Sequence, residues 1–233
     1  PLEVTQGART LGVSVKDFLL RLKDLGLGSL PGTAAEILDD EIRAKICPDK
    51  LTGAEWLNVV GTAHRIGIPT TSTIMFGHLE STEHWARHLL AIRRLQEETD
   101  GFTEFVPLPL VHMEAPFYRR GQSRKGPTWR ETVLMHAVAR IVLFGKVRSV
   151  QASWVKLGIE GAACLLNAGV NDLGGVLMNE SISRAAGSSH GQTVSSDDLA
   201  RAADQVARPL RERTTLYRDL GPRAEQCVSI QSS

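Results

Sequence analysis

Carboxylates, histidines and glycines cluster where apolar runs of this chain turn polar, and those junctions are where chemistry is to be sought. TSTIMFGHLES, residues 71–81, is a Thr/Ile run closed by Gly77-His78-Leu79-Glu80. Gly77 admits two readings. It is a turn glycine that frees φ, or a bare backbone that lets a flat ligand approach, with Glu80 accepting its hydrogen bonds. Glu36 follows Pro31-Gly32-Thr33-Ala34-Ala35 and precedes Ile37-Leu38, so it is expected to be partly buried and to need a partner. The partner is a ligand amine or hydroxyl, or an arginine such as Arg43. Gln151 and Ser153 share a stretch with Trp154. Read as one strand, they bind a ligand if their face points into a barrel, and they face helices if the register is reversed. Asn171-Asp172 before Gly174-Gly175 is a tight turn, or a strand crossing between Val170 and Val176 that points Asn171 or Asp172 inward.

His84 and His88 stand at i, i+4 on an expected helix, a spacing that suits a metal. No HExxH glutamate accompanies them, and the helix is expected on the outside, so a solvated face is the reading taken. His64, His112 and His136 are isolated and read as structural. Cys47, Cys164 and Cys227 are isolated and odd in number, which points to a reducing, cytoplasmic compartment and offers no CxxC metal motif. Residues 179–184 with 187–191 read as a loop covering the site, a Glu180–Arg184 pair being the alternative.

The elements that must position these groups alternate. Helical spacing covers 2–11, 14–25, 39–46, 53–66 (Thr52 and Glu55 forming a capping box), 83–99, 129–145, 159–168 and 196–218. Strand patterns cover 27–30, 68–76, 102–111, 147–155 and 170–178. Strands alternating with helices indicate a parallel sheet or barrel, with ligands at the carboxyl ends of the strands. About five βα units are too few for an eight-stranded barrel. The chain, which starts with Pro1, is therefore expected to be a fragment, with a partial barrel over 1–220 and a tail over 221–233. Hydrophobic content of 42%, charged content of 23% and a formal charge of +1 fit a globular protein and give no reason for a nucleic-acid or membrane partner. No run of 18 apolar residues occurs.

Five blocks in order carry a resemblance: LPGTAAEILDDEIRAKICPDK, IPTTSTIMFGHLES, FVPLPLVH, SVQASWVKLG and NDLGGVLMNESISRAAGSSHGQ. Together they resemble the C-terminal part of the FO synthase family, in its tyrosine-using radical S-adenosylmethionine (SAM) subunit, and more loosely the related menaquinone-pathway enzymes. The resemblance implies a TIM-like radical SAM barrel of which this chain is the C-terminal portion. It implies a [4Fe–4S] cluster on a CxxxCxxC loop and SAM as source of a 5′-deoxyadenosyl radical. It also implies joining of a tyrosine-derived 4-hydroxybenzyl group to 5-amino-6-(D-ribitylamino)uracil, on the way to a deazaflavin. By the same resemblance Glu36, Met75, Gly77 and Glu80 hold SAM, and Gln151, Ser153 and Asp172 line the substrate end. Ser72 stands where the family pattern has its first glycine. The cluster loop is not in this sequence, so no metal ligand is assigned. The missing N-terminal part of the barrel is the implied partner, and the chain alone is expected to be inactive. A non-catalytic nucleoside-binding half-barrel is the competing class, and a histidine-based hydrolase a third, disfavoured by the absence of convergent ligand spacing.

Overall fold

Helices begin where a short polar side chain can take up the free N–H groups of a first turn. The computed structural model describes residues 1–176, 185–187 and 193–222. Among them are helices α1 (Leu2–Thr10), α2 (Val15–Asp24), α3 (Asp40–Ile46), α4 (Gly53–Arg65), α5 (Thr82–Thr99), α6 (Pro116–Arg119), α7 (Trp129–Val142), α8 (Trp154–Leu166) and α9 (Ser196–Asp204). The strands are β1 (Thr70–Phe76), β2 (Phe102–Pro109), β3 (Ser149–Val150), β4 (Arg211–Arg213) and β5 (Asp219–Pro222). Ser14 and Asp39 cap α2 and α3, and full capping boxes open α4 (Thr52 with Glu55), α7 (Thr128 with Glu131) and α9 (Ser195 with Asp198).

β1, β2 and β3 form a parallel sheet in chain order, with Ser72 opposite Phe105 and Phe105 opposite Val150. A single parallel bridge extends it on each side, Leu30 to Thr70 and Gln151 to Asp172. The sheet and its helices are a mixed α/β arrangement consistent with part of an α/β barrel. Burial alternates along β1. Ser72, Ile74 and Phe76 are fully buried in a core with Trp56, Leu89, Ile92 and Phe105, while Thr71, Thr73 and Met75 stay partly open on the other face. A second core joins α8 and α9 around Val150, Trp154, Leu165 and Leu199.

Several expectations are corrected. The strand expected over 147–155 is only Ser149–Val150 with a bridge at Gln151, because Ser153 already serves as N-cap of α8. Trp154 is therefore the first residue of a helix, not a strand residue alternating with Gln151. That helix starts earlier than 159 and breaks at Gly158, where φ is 70°. The helix expected over 196–218 ends at Asp204. Ala207 takes φ 53° and Pro209 disfavours helix at Arg208, so the chain turns back as the antiparallel hairpin β4–β5. The strand expected over 170–178 contributes only the bridge at Asp172 among the described residues, and the one over 27–30 only the bridge at Leu30. Residues 179–184 and 188–191, read as a covering loop, lie outside the described residues, as does Cys227.

Candidate functional site

The carboxyl end of β1 gathers four of the expected site residues. The segment after Leu30 runs beside β1, so that Gly32 N donates to Thr71 Oγ1 at 2.8 Å, Thr73 Oγ1 donates to the Gly32 carbonyl at 3.0 Å and Met75 N donates to the Glu36 carbonyl at 2.7 Å. Ala34 and Glu36 take positive φ in this segment, 59° and 45°. The Glu36 carboxylate pairs with Lys50 Nζ at 2.6 Å. Arg43, weighed as its partner, instead spends its guanidinium on the carbonyls of Ala34, Ala35, Ile37 and Leu51.

Gly77 has φ 95°, a region open to glycine and costly for other residues. A Cβ there would stand 2.2 Å from Pro127 Cδ, so that side is filled by the Gly126-Pro127 segment. Glu80 is buried and turned back on its own loop. Its carboxylate accepts from Gly77 N, from His78 N at 2.8 Å and from Trp85 Nε1 at 2.9 Å, and His78 Nδ1 is 2.9 Å away. Burial alone would raise its pKa, but His78 and the N–H donors outweigh it and hold the carboxyl near about 2. Chemically this is a braced turn with a permanent negative charge. Ser72, on the helix side of β1, donates to the Glu104 carbonyl at 2.8 Å.

Gln151 and Ser153 line an open cleft of about 310 Å³ on the less buried face of the sheet. β1 contributes Thr71 and Thr73, β2 contributes Glu104, Val106 and Leu108, and the start of α8 with Gly175 completes the wall. Trp154 is held there by Nε1 donating to the Gly175 carbonyl at 3.1 Å. Gly174, at φ 71°, lets Gln151 approach: a Cβ on it would lie 2.1 Å from Gln151 Nε2.

Asp172 borders this cleft through its pairing with Gln151. Its carboxylate is taken by Arg213, with Nε at 2.6 Å and Nη2 at 3.0 Å, and by Gly174 N at 2.7 Å. Arg213 is 3.7 Å from Glu104 Oε2 and lies over the Tyr217 ring, 4.0 Å from its centroid. Burial first, and then Asp172, push the Glu104 carboxyl up, against Tyr217 and Arg213. Burial and Glu104 push the Tyr217 phenol above its usual range. The two groups thus sense each other, yet among the described residues neither Glu104 Oε2 nor Tyr217 Oη stands in full hydrogen-bond geometry with a partner.

Glu104, Arg213 and Tyr217 were not among the expected site residues. Glu104 carries the one available signal, a carboxylate inside the apolar strand FTEFVPLP. Arg213 and Tyr217 fall in what reads as a polar helix, and nothing in their spacing marks them. The structure also corrects the solvated reading at His88, while His84 stays partly exposed. His88 is completely buried, its Nδ1 accepting from Leu38 N at 3.1 Å, while His84 Nδ1 accepts from Ser81 N at 3.0 Å. The two imidazoles serve different backbone donors. His64 bridges Thr99 and Thr70 at 2.7 and 2.9 Å, and His136 bonds the Thr132 carbonyl at 2.7 Å. Among the described residues no group of three His, Cys, Asp or Glu side chains could hold a metal, and Cys47 is buried while Cys164 is exposed. These residues do not fit an iron–sulfur cluster. No helix among them is long and apolar enough to cross a membrane.

Comparison with known proteins gives a family and several relatives. The family described as "CofH/MqnC C-terminal region" matches residues 99–223, more than half of the chain. The FO synthase of Nocardia farcinica is 49% identical over 230 residues, covering 99% of this chain and 27% of the relative. The 5-amino-6-(D-ribitylamino)uracil–L-tyrosine 4-hydroxyphenyl transferase of Methanocaldococcus jannaschii is 48% identical over 220 residues, covering 94% of this chain and 61% of the relative. The FO synthase of Streptomyces avermitilis is 49% identical over 232 residues, all of this chain and 27% of the relative. The chain thus spans about a quarter of the FO synthases it matches and about three-fifths of the transferase.

Proposed function

The chain belongs to the CofH/MqnC C-terminal region family, and from that premise we propose that it is the C-terminal part of an FO-synthase-type transferase. The whole enzyme would be a radical SAM protein that joins a tyrosine-derived 4-hydroxybenzyl group to 5-amino-6-(D-ribitylamino)uracil in deazaflavin biosynthesis. The observation that carries this is identity of 48% with a tyrosine 4-hydroxyphenyl transferase, sustained over 94% of the chain. The family description also covers MqnC, but the named relatives at this identity are FO synthases and the transferase.

SAM, when bound in the whole enzyme, would supply the radical chemistry. In this chain Met75, half-buried on the open face, and the Glu36 backbone beside it are the groups suited to the adenosyl side, with Gly77 and Glu80 keeping the strand end in place. Gln151 and Ser153 in the cleft suit the polar edges of a substrate. Asp172 contributes through Arg213, since its own acceptors are occupied. A cluster would have to come from elsewhere in the enzyme, because the described residues offer no ligand set for it; no step is therefore built on it. On this reading the 233-residue chain by itself is expected to be inactive.

The test is product formation. The full-length protein carrying this chain, reconstituted anaerobically with iron and sulfide and given SAM, reductant, tyrosine and the aminouracil, is expected to yield a coupled product by mass spectrometry. Consumption of a different substrate pair, with none of this product, would overturn the assignment. The isolated chain is expected to give neither product nor the absorption band of an iron–sulfur cluster.

A further inference from the structure

Glu104 lines the cleft, is nine-tenths buried, and its Oε2 has no hydrogen-bond partner among the described residues. A buried carboxylate oxygen left so is costly and calls for an explanation. The nearest cation does not supply one. Arg213 gives Nε and Nη2 to Asp172 and Nη1 to the Thr214 carbonyl, and its Nη2 stands 3.7 Å from Glu104 Oε2, beyond hydrogen-bond length. The Tyr217 hydroxyl is buried beside the same carboxylate and is a neutral O–H that interacts with it, though among the described residues it meets no partner in full hydrogen-bond geometry. Two carboxylates therefore face one guanidinium whose donors are largely committed. What the cluster lacks is a donor that also carries positive charge.

We propose that Glu104 binds the ammonium group of a small-molecule ligand in the cleft, with the Tyr217 hydroxyl as a second acceptor. A ligand anion would be repelled by Glu104 and Asp172, and a neutral donor would fill Oε2 without balancing the charge. On the functional reading above, the ammonium is that of tyrosine; the inference rests on that reading for the ligand's name and not for its charge. Arg213 is then a positioning residue: by holding Asp172 it keeps a second carboxylate from competing for the ammonium, and by stacking on Tyr217 it holds that ring against Glu104.

The test measures equilibrium binding by calorimetry to the full-length protein. The probes are matched pairs with and without the ammonium: tyrosine against 3-(4-hydroxyphenyl)propanoate, and tyramine against 4-ethylphenol. The unaltered protein is expected to favour the ammonium member of each pair by about tenfold or more. Glu104→Gln should erase that preference while leaving the deaminated probes unchanged, and Glu104→Asp, which keeps the charge, should retain part of it. Equal or absent binding of tyramine and 4-ethylphenol by the unaltered protein would overturn the proposal without any variant. So would equal losses for both members of a pair in Glu104→Gln. Product formation separates this from the functional reading. A protein that makes the coupled product but shows no Glu104-dependent preference sinks the inference alone. A protein with the preference but no product sinks the functional reading alone.

Discussion

The turn after β1 and the cluster under the C-terminal hairpin both rest on buried carboxylates, yet they are completed differently. Glu80 takes every donor it needs from residues two to five positions away, Gly77, His78 and Trp85, and stands in a closed circuit of hydrogen bonds. Glu104 meets Asp172, Arg213 and Tyr217 from distant parts of the chain, and among the described residues the meeting leaves Oε2 and the Tyr217 hydroxyl without a partner in full hydrogen-bond geometry. A closed circuit stabilises the fold and has nothing left to offer a ligand. An open one costs stability, and such a cost is characteristic of binding sites. The two regions should accordingly respond very differently when their buried polar groups are removed.

The largest effect is expected at the closed turn. Glu80→Ala strands the N–H groups of Gly77, His78 and Trp85 in the interior and should cost about 3–5 kcal/mol, read as a lowered urea midpoint. A loss below about 1 kcal/mol would mean that the turn does not depend on the carboxylate. The same carboxyl has a pH signature. Its folded pKa of about 2 lies below the ordinary 4.5, so its contribution is complete above pH 4.5 and disappears as the pH falls towards 2. That limb amounts to about 3 kcal/mol and should be missing in Glu80→Gln. Buried neutral histidines produce an earlier limb. His64 and His136, both lowered from 6.5 to about 4 by burial, make the fold lose stability as the pH drops from 6.5 towards 4. Glu80→Gln should leave that earlier limb intact.

Next comes Gly77→Ala, which combines a φ of 95° with a Cβ only 2.2 Å from Pro127 Cδ. It should cost about 2–4 kcal/mol in the same unfolding measurement. Gly174→Ala offers the contrast on the cleft side. Its Cβ would meet only the movable end of Gln151, so the cost should be about 1–2 kcal/mol, with Gln151 displaced from the cleft in a crystal structure of the variant. The smallest effect is expected at the open cluster. Tyr217→Phe removes a buried hydroxyl that meets no partner in full hydrogen-bond geometry among the described residues, and should change stability by less than about 0.5 kcal/mol or raise it. A loss above about 1.5 kcal/mol would show that the hydroxyl is bonded and the circuit closed after all.

The sequence determined those parts of the molecule whose interactions are short in range. Thr52 with Glu55 and Thr128 in front of a periodic run mark helix starts because a cap and its N–H lie within one turn. β1 is legible from its Thr/Ile alternation, and the bracing of Gly77 by Glu80 spans only three residues. Other assignments depended on which segments come to lie side by side. Nothing local said that Glu36 would choose Lys50 over Arg43, or that His88 would turn inward towards Leu38. The span from 196 to 218 reads as one polar helix, but Pro209 and the turn at Ala207 send it back as a hairpin, and that reversal brings Arg213 onto Asp172 and Glu104. The reason is physical. A capping bond or a turn is settled by neighbours along the chain, whereas the partner of a buried charge is settled by the packing of strands and hairpin, and only the tertiary structure decides that.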